Sequence, residues 1–356
     1  MSTKGLVFVP SDGRPGWQGE APGLQLVANR PLVCHLLETL AGDPSRPLAV
    51  LAGDEQLPAL RAAVAADPGT ATEPEWIGLS GRRDLAGALA AAQPFVQDDA
   101  AVVHLATGLL AQPLDPLLDV DGAASDLLLM LHRSESQPAL SSATERLLAV
   151  SDFTGDGPRL GLAEVAVFGP GGLTRAVAAL AAAETEPSEP DASYPLVAIA
   201  ERLAAAGLDV TAGIVRGWCG YSSAPADLLE LNRSVLDRQT AQPVPPTATD
   251  SRIEGRVVIH PTAEVSSSVI LGPCLIGAGA RIADSYIGPY TTIGARSVLE
   301  DAEIVRSVVA EGARISHIGG RIEGSTIGPG AHIFRDFTLP RAMRLHVGEN
   351  VEVSLD

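Results

Sequence analysis

The strongest constraint on the fold is a run of aliphatic residues that recur every five or six positions in the last third of the chain. The regular part comprises Ile259, Val265, Ile270, Ile276, Ile282, Ile287 and Ile293, and a less regular continuation comprises Ile304, Ile315, Ile322, Ile327 and Ile333. This period matches neither an amphipathic helix, which repeats every ~3.6 residues, nor a strand, which alternates about every second residue. It is typical of a parallel β-helix, in which each coil stacks an inward aliphatic on the next. Ile-Gly corners such as Ile276-Gly277 and Ile287-Gly288 favour the left-handed form.

The first part of the chain follows a different pattern, in which short apolar runs alternate with Ala- and Leu-rich amphipathic runs. Strands are predicted at residues 5–9, 48–52, 76–79, 101–106 and 127–131, and helices at 31–40, 57–66 and 84–96. This alternation predicts an α/β domain with a mainly parallel sheet, whose ligands bind beyond the carboxyl ends of the strands.

The change of pattern predicts two domains within the 356 residues. Residues 240–250 are rich in Pro and Thr and carry no periodicity, which is typical of a semi-rigid linker. We therefore predict an α/β domain at 1–239, a linker at 240–250 and a β-helix domain at 251–356.

Composition and charge limit the partners. The net charge of −18 repels polyanions, and no Lys- or Arg-rich run offsets it, so nucleic acid is not an expected partner. No apolar run approaches the ~20 residues of a membrane span and no signal peptide is visible, so we expect a cytoplasmic protein with no membrane partner.

The three cysteines, Cys34, Cys219 and Cys274, have irregular spacing and are expected to be reduced.

Three separated segments carry recognisable motifs. They are LVANRP at residues 26–31 with Leu37-Glu38, Gly217-Trp218 followed by DLLELNRSVL at 227–236, and SRIEGRVVI at 251–259 followed by DSYIGPYT at 284–291. In this order they resemble the sugar-phosphate nucleotidyltransferases, and in detail the long form of glucose-1-phosphate thymidylyltransferase. The resemblance covers nearly the whole chain. It implies a Rossmann-like nucleotidyltransferase domain followed by a left-handed β-helix that serves packing and assembly, so a homo-oligomer is expected.

Enzymes of this family join a nucleoside triphosphate to a sugar 1-phosphate with loss of pyrophosphate. The resemblance therefore implies which positions of the chain carry charged residues in such enzymes. The family's glycine-rich phosphate loop falls at residues 10–17. There Pro10 has no amide donor and Asp12 adds a negative charge, while Gly13 and Arg14 keep the needed chemistry. The loop is therefore expected to bind triphosphate poorly.

Four further charged positions of the family carry other residues here. The lysine after the loop falls at Pro22, the two magnesium-binding aspartates fall at Thr107 and Gly220, and the segment of the sugar-phosphate lysine, residues 149–153, contains no Lys. A hydroxyl replaces a carboxylate on Mg²⁺ only with a large loss of affinity. We expect that ordinary nucleotidyl transfer is lost and predict no cofactor and no metal site.

The strand ends supply candidates for what the cleft binds instead. The ligand-binding candidates are Ser11, Asp12, Gly13, Arg14, His104, Thr107, Arg133, Ser151, Asp152, Tyr221 and Ser222. Arg14 with Arg133 can bind a phosphate or carboxylate, so the expected partner is a small anion: a sugar phosphate, a nucleotide or a carboxylate. His104 lies in a predicted buried strand and is expected to be a satisfied core histidine rather than a base. The catalytic residues remain unknown.

Three functions remain open. The preferred hypothesis is a degenerate nucleotidyltransferase homologue, either a repurposed biosynthetic enzyme or a ligand-binding or assembly partner in a bacterial sugar or natural-product pathway. The alternative is an active thymidylyltransferase-like enzyme whose substitute metal ligands are Asp12, Asp152 or Asp98. A second alternative is a β-helix acyltransferase that uses a solenoid histidine. The candidates for that role are His260, His317, His332 and His346.

Overall fold

A computed structural model describes residues 3–10, 21–42, 45–70, 73–81, 84–111, 125–134, 159–182, 195–335 and 343–346. These residues form two compact units. The first draws its described residues from Met1–Gly16, Ala21–Leu24 and Pro31–Gly220, and the second from Gln25–Arg30 and Tyr221–Asp356.

A seven-stranded mixed sheet forms the centre of the first unit. Its strands, in spatial order, are β10 (Val210–Val215), β8 (Leu127–Ser134), β9 (Arg159–Phe168), β6 (Ala100–Leu105), β1 (Thr3–Phe8), β4 (Leu48–Gly53) and β5 (Glu75–Leu79). Neighbouring strands pair in parallel, except that β9 runs antiparallel to both β6 and β8. The predicted strands and their mainly parallel arrangement are confirmed.

Helices cover the sheet. They are α1 (Leu32–Leu40), α2 (Leu57–Ala66), α3 (Leu85–Val96), α4 (Gly172–Ala182) and α5 (Pro195–Ala205). Helix α3 begins where predicted because the Asp84 carboxylate accepts a hydrogen bond of 2.9 Å from the Gly87 amide, which caps its first turn. No helix in the described ranges is both long enough and apolar enough to cross a membrane.

Short strands complete the described parts of this half of the chain. They are β2 (Leu26–Val27), β3 (Arg30–Pro31), β7 (Gly108–Leu110) and β11 (Trp218–Gly220), together with a 3₁₀ turn at Pro22–Leu24. Strands β2 and β3 form a hairpin whose two turn residues, Ala28 and Asn29, have φ values of 47° and 62°. Positive φ at both turn positions is the geometry that suits a two-residue hairpin, and Asn tolerates it better than most residues.

Three stacked parallel sheets in the second unit confirm the predicted β-helix; its left-handed sense stays a prediction. The first sheet contains β12 (Ala248–Thr249), β15 (Glu264–Ser266), β18 (Arg281–Ala283), β21 (Val298–Glu300), β24 (Arg314–Ser316) and β27 (His332–Arg335), and ends in an antiparallel strand, β28 (Met343–His346). The second contains β13 (Arg252–Glu254), β16 (Val269–Leu271), β19 (Tyr286–Ile287), β22 (Glu303–Val305) and β25 (Arg321–Glu323). The third contains β14 (Val257–Ile259), β17 (Cys274–Ile276), β20 (Thr291–Ile293), β23 (Val308–Val309) and β26 (Thr326–Ile327).

The predicted aliphatic repeat forms the core of these coils. Val265 pairs with Ile282, and Ile282 pairs with Leu299 in the following coil, all three at most 1% exposed. The less regular members Ile322 and Ile333 are partly buried at the end of the stack. The stack starts inside the predicted linker, because Ala248 and Thr249 already pair with β15.

Helix α6 (Pro225–Arg238) belongs to the second unit and packs on the third sheet. Its Asn232 amide nitrogen donates to the Tyr290 carbonyl over 3.2 Å, and its amide oxygen accepts from the Thr292 hydroxyl over 2.7 Å. The Asn29 side chain donates to the neighbouring Ile293 carbonyl over 2.8 Å. We call Asn29, Asn232, Tyr290 and Thr292 the anchor face. Two of the motif segments that carry the family resemblance therefore hold the second unit together.

Candidate functional site

The carboxyl end of β6 and the turn after it carry the candidate site of the first unit. The Ala106 amide donates to the Phe8 carbonyl over 2.8 Å, which extends the pairing of β6 with β1 into the turn. Next, β7 pairs antiparallel with β11, with Gly108 opposite Gly220 and Leu110 opposite Trp218. We call His104, Thr107, Gly108, Trp218 and Gly220 the strand-end cluster.

The two positions that the family resemblance assigns to magnesium aspartates lie close together here. Thr107 is the residue before Gly108, and Gly108 is the pairing partner of Gly220. Their side chains offer one hydroxyl and no carboxylate, and Mg²⁺ requires hard anionic oxygens. These residues do not fit a magnesium ion. Elsewhere in the described part of the chain, no three His, Cys, Asp or Glu side chains are grouped so that they could hold a metal.

Gly108 is required by the close approach of Trp218. A Cβ atom at residue 108 would lie 2.5 Å from indole Cζ2 and 2.6 Å from the Cys219 carbonyl oxygen. Real Cβ atoms do not approach other atoms this closely, so the tryptophan ring covers the turn only because residue 108 has no side chain. The half-buried Trp218 ring also packs against the His104 ring, with 5.6 Å between the ring centroids.

His104 is fully buried, as its strand position predicted. Its Nδ1 lies 2.8 Å from the Leu105 carbonyl oxygen, which can only accept a hydrogen bond. Nδ1 therefore carries the proton and Nε2 presents a bare lone pair. Burial lowers the pKa of His104 from 6.5 to about 4, so the imidazole is neutral at pH 7.

Two polar atoms of the cluster are buried and unsatisfied. Nε2 of His104 and Oγ1 of Thr107 have no hydrogen-bond partner among the described residues. The expectation of a satisfied core histidine thus holds for one ring nitrogen and not for the other. A buried polar atom without a partner is rare in a folded protein, and each instance calls for a water, a ligand or a strain explanation.

Two further residues near the cluster were missed by sequence reasoning. His132 on β8 is buried with its ring centroid 6.5 Å from that of Trp218, and Glu164 sits in a bulge of β9 with φ of 26°. Glu164 is 9% exposed, although this region of φ favours glycine. A bulge or a ring contact between distant strands leaves no local signal in the sequence. Arg133, a predicted candidate, follows His132 and is exposed.

Six of the predicted site residues lie outside the described residues: Ser11, Asp12, Gly13, Arg14, Ser151 and Asp152. Their roles stay predictions. Asp98, proposed as a substitute metal ligand, is described and lies before the amino end of β6. Asp98 precedes β6 and Thr107 follows it, so the two residues lie at opposite ends of this strand. A six-residue strand spans about 20 Å. Asp98 cannot serve a metal in this cluster, and that part of the alternative is wrong.

Tyr221 and Ser222 belong to the second unit and have partners there. The Tyr221 hydroxyl donates to the Gln25 side-chain oxygen over 2.8 Å. The amide and hydroxyl of Ser222 both contact an Asp227 carboxylate oxygen, at 2.8 and 2.5 Å, at the start of α6. Their part in ligand binding stays a prediction.

The solenoid histidines lie in different local settings. His260 Nδ1 lies 2.9 Å from the Thr262 hydroxyl, His317 Nδ1 lies 3.4 Å from an Asp301 carboxylate oxygen, and the ring of His332 packs on Phe334. The side chain of His346 is outside what the structure describes. Cys34, Cys219 and Cys274 are thiols that form no disulfide among the described residues, and burial raises the pKa of Cys274 to about 12.

Comparison with known proteins shows similarity along nearly the full length. The chain is 29% identical to a glucose-1-phosphate thymidylyltransferase of Streptomyces griseus, with 98% of each chain covered. It is 28% identical to a glucose-1-phosphate thymidylyltransferase of Streptomyces antibioticus, with 99% of each covered. A low-salt glycan biosynthesis nucleotidyltransferase of Haloferax volcanii is 31% identical over 42% of each chain.

No protein-family model matches the chain. The full-length similarity therefore carries the assignment, together with the motif segments and the order of an α/β unit before a β-helix. Both full-length relatives match at both ends, so the similarity includes the solenoid as well as the sheet. Over nearly its full length the chain is therefore similar to glucose-1-phosphate thymidylyltransferases of the long form, in which an α/β unit precedes a β-helix.

Proposed function

We propose that the protein is a diverged sugar-1-phosphate nucleotidyltransferase homologue that no longer carries out magnesium-dependent nucleotidyl transfer and instead binds a small sugar ligand. One observation carries the proposal. Thr107 and Gly220, placed at the two aspartate positions by sequence matching alone, adjoin one another across the β7–β11 pair, as two ligands of one metal would. The pairing supports the alignment, and the aligned residues lack both carboxylates.

Charge argues in the same direction. Nucleotidyl transfer depends on cations that offset the phosphate charge in the transition state. Besides the two aspartates, the family's lysine after the phosphate loop is Pro22 here, and residues 149–153 contain no lysine. With a net charge of −18, the whole chain adds to the repulsion of a triphosphate. The proposal includes the cytoplasmic location and the homo-oligomeric state that the sequence favours.

The test is a pyrophosphate-release assay on the full chain. Purified protein is incubated with thymidine triphosphate, glucose 1-phosphate and Mg²⁺, beside the Streptomyces griseus relative as a positive control. We expect pyrophosphate release at least about 10³-fold below that of the relative, because several kcal/mol of charge stabilisation are missing. We also expect glucose 1-phosphate, without metal, to raise the unfolding temperature, since a ligand of the native state stabilises it by mass action.

Pyrophosphate release at a rate comparable to that of the relative would contradict the proposal and favour the alternative with substitute ligands. Asp12→Asn and Asp152→Asn then identify the metal ligand, since each removes one carboxylate at little change in volume. If glucose 1-phosphate does not raise the unfolding temperature and no pyrophosphate is released, the sugar-binding part of the proposal is contradicted. Arg14→Ala tests whether the phosphate loop binds the phosphate of glucose 1-phosphate, because Arg14 is the cation that this loop retains. If it does, the variant loses the thermal shift with glucose 1-phosphate.

A further inference from the structure

The second sheet of the β-helix has an apolar centre on its outer surface. In β16, Ile270 points into the core, so Val269 and Leu271 on either side of it face outward, where both are half-buried. Tyr286 pairs with Val269 from the next coil, and Val305 faces outward one coil further on. We call Val269, Leu271, Tyr286 and Val305 the apolar centre. Four apolar side chains on three adjacent coils form one patch, and such a patch marks an interaction surface.

Gly288 keeps the apolar centre flat. A Cβ atom at residue 288 would lie 2.6 Å from Val305 Cγ2 and 3.2 Å from Tyr286 Cε1. Because residue 288 has no side chain, these two side chains lie over its backbone instead of standing out from the sheet. A flat apolar surface suits another protein surface, whereas a small ligand needs a concave site.

The other two outer surfaces of the β-helix differ from this one. The third sheet is covered by α6, whose Asn232 accepts a hydrogen bond from Thr292. The first sheet carries an exposed charged side chain in every strand from β15 to β24, among them Glu264, Arg281 and Glu300. In the second sheet, the middle strands β16 and β19 carry no charged residue. The apolar centre is therefore specific to the second sheet.

Arginine and glutamate residues flank the apolar centre at both ends of the sheet. In the first strand, the Arg252 guanidinium lies 2.7 Å from the Glu254 carboxylate, with side chains 68% and 53% exposed. In the last strand, Arg321 and Glu323 occupy the same two positions and are about half exposed. The pairing register places both arginines in the first column of the sheet and both glutamates in the second. A polar rim around an apolar centre is the composition of a protein–protein interface.

We propose that this face pairs with the same face of a second copy of the chain, with the two stacks parallel. A two-fold axis parallel to the stack brings the first column of one copy against the second column of the other. Arg252 then faces Glu254, Arg321 faces Glu323, and the two apolar centres meet. A two-fold axis along the strands would instead place Arg252 against Arg321 and Glu254 against Glu323, and these like charges oppose it.

The size of the face determines how strongly the copies associate. Its five strands, about 4.8 Å apart, span about 20 Å, so the buried area is at the low end for a specific interface. We therefore expect a reversible dimer that is half formed at roughly 10 µM. The apolar centre supplies the affinity, and the exposed charges fix the orientation of the copies. The inference rests on the homo-oligomeric state in the proposed function and names the surface responsible for it.

Sedimentation of the full-length protein tests this surface with two matched valine variants. Val269→Glu places a charge in the apolar centre of each copy, and dimerisation should weaken at least about 100-fold, because each dimer buries two unpaired charges. Val298→Glu makes the same change at a half-buried, outward valine of the first sheet and should leave dimerisation unchanged. Circular dichroism checks that both variants are folded. If Val269→Glu associates as strongly as wild type, the inference is overturned, while the homo-oligomeric state stands.

A charge exchange tests the two-fold arrangement. Arg252→Glu sets carboxylates against each other across the interface, and Glu254→Arg sets guanidinium groups against each other, so each variant alone should dimerise about tenfold more weakly than wild type. An equal mixture restores opposite charges at both sites and should associate like wild type. A mixture that associates no better than either variant overturns the arrangement.

The wild type alone provides the last outcome. If it sediments as a monomer at about 200 µM, where a dimer of this strength would be mostly formed, the inference fails together with the homo-oligomeric state. The proposed loss of nucleotidyl transfer is not affected by that result, because pyrophosphate release measures it separately.

Discussion

The strand-end cluster and the anchor face differ in whether their polar atoms have hydrogen-bond partners. On the anchor face, the Asn232 amide uses its oxygen for Thr292 and its nitrogen for Tyr290, and Asn29 donates to the Ile293 carbonyl. In the strand-end cluster, His104 Nε2 and the Thr107 hydroxyl are buried without a partner among the described residues. On the anchor face these polar groups have hydrogen-bond partners within the chain. In the strand-end cluster two polar groups lack one among the described residues.

The two regions also differ in how their residues relate to the family resemblance. Asn29 and Asn232 belong to the LVANRP and DLLELNRSVL segments, and each satisfies backbone or side-chain groups of the β-helix. A replacement there would leave buried groups unpaired, which costs stability whatever the protein binds. The Thr107 hydroxyl has no hydrogen-bond partner among the described residues and Gly220 has no side chain, so neither side chain satisfies a group of the fold.

The largest expected effect comes from acidifying the strand-end cluster. His104 has a pKa of about 4 when folded and about 6.5 when unfolded, so the unfolded chain binds more protons between these values. Its contribution is complete above pH 6.5 and is lost as the pH falls toward 4, by roughly 3 kcal/mol. We expect wild type to lose more unfolding free energy than His104→Phe between pH 7 and pH 4.5 in denaturant titrations. Equal losses in both proteins would contradict a lowered pKa of His104 in the folded protein.

The next largest effect is expected on the anchor face. Asn232→Ala leaves the Thr292 hydroxyl buried without its 2.7 Å partner, which should cost about 2 kcal/mol. Circular dichroism in urea measures the loss. Arg233→Ala is the neighbouring control, since its pair with Glu230 is more than half exposed and contributes little. If adding Thr292→Val to the Asn232 variant recovers no stability, the hydrogen bond is not the cause.

A smaller effect is expected when a methyl group is added under Trp218. Gly108→Ala forces contacts of 2.5 Å with the indole and 2.6 Å with the Cys219 carbonyl oxygen, so the ring and the backbone of β11 must both move, at a cost of roughly 1–2 kcal/mol. We expect a changed tryptophan emission spectrum along with the loss of stability. Gly81→Ala is the control within the same unit, because a Cβ atom there meets nothing within 4 Å. An unchanged spectrum in Gly108→Ala would mean that Trp218 does not cover the turn in solution.

The smallest effect is expected at the exposed ion pairs of the β-helix. Arg281 and Glu264 lie 3.3 Å apart with side chains about two-thirds exposed. Arg281→Ala should change the unfolding free energy by less than about 0.5 kcal/mol, since solvent and salt screen such pairs. Urea titrations at low and at high salt measure this. A loss comparable to that of Asn232→Ala would show that the outer charges, and not only the anchor face, hold the coils.

The helices, strands and coils could be predicted from the sequence, because their signals are local. The aliphatic repeat from Ile259 onward specifies stacked coils, and the alternation before residue 240 specifies a parallel-rich sheet with helices, since each period fits one backbone geometry. The motif segments also identified the family that the full-length relatives support.

The contacts between residues that are distant in sequence could not be predicted in this way. That Gly108 pairs with Gly220, that Trp218 covers His104, and that Asn232 reaches Thr292 depend on chain segments far apart in sequence. No local pattern records whether a buried nitrogen finds a partner, because hydrogen-bond satisfaction depends on every element packed around it. His104 therefore looked like a satisfied core residue in the sequence, and the fold made it a bare acceptor beside Thr107.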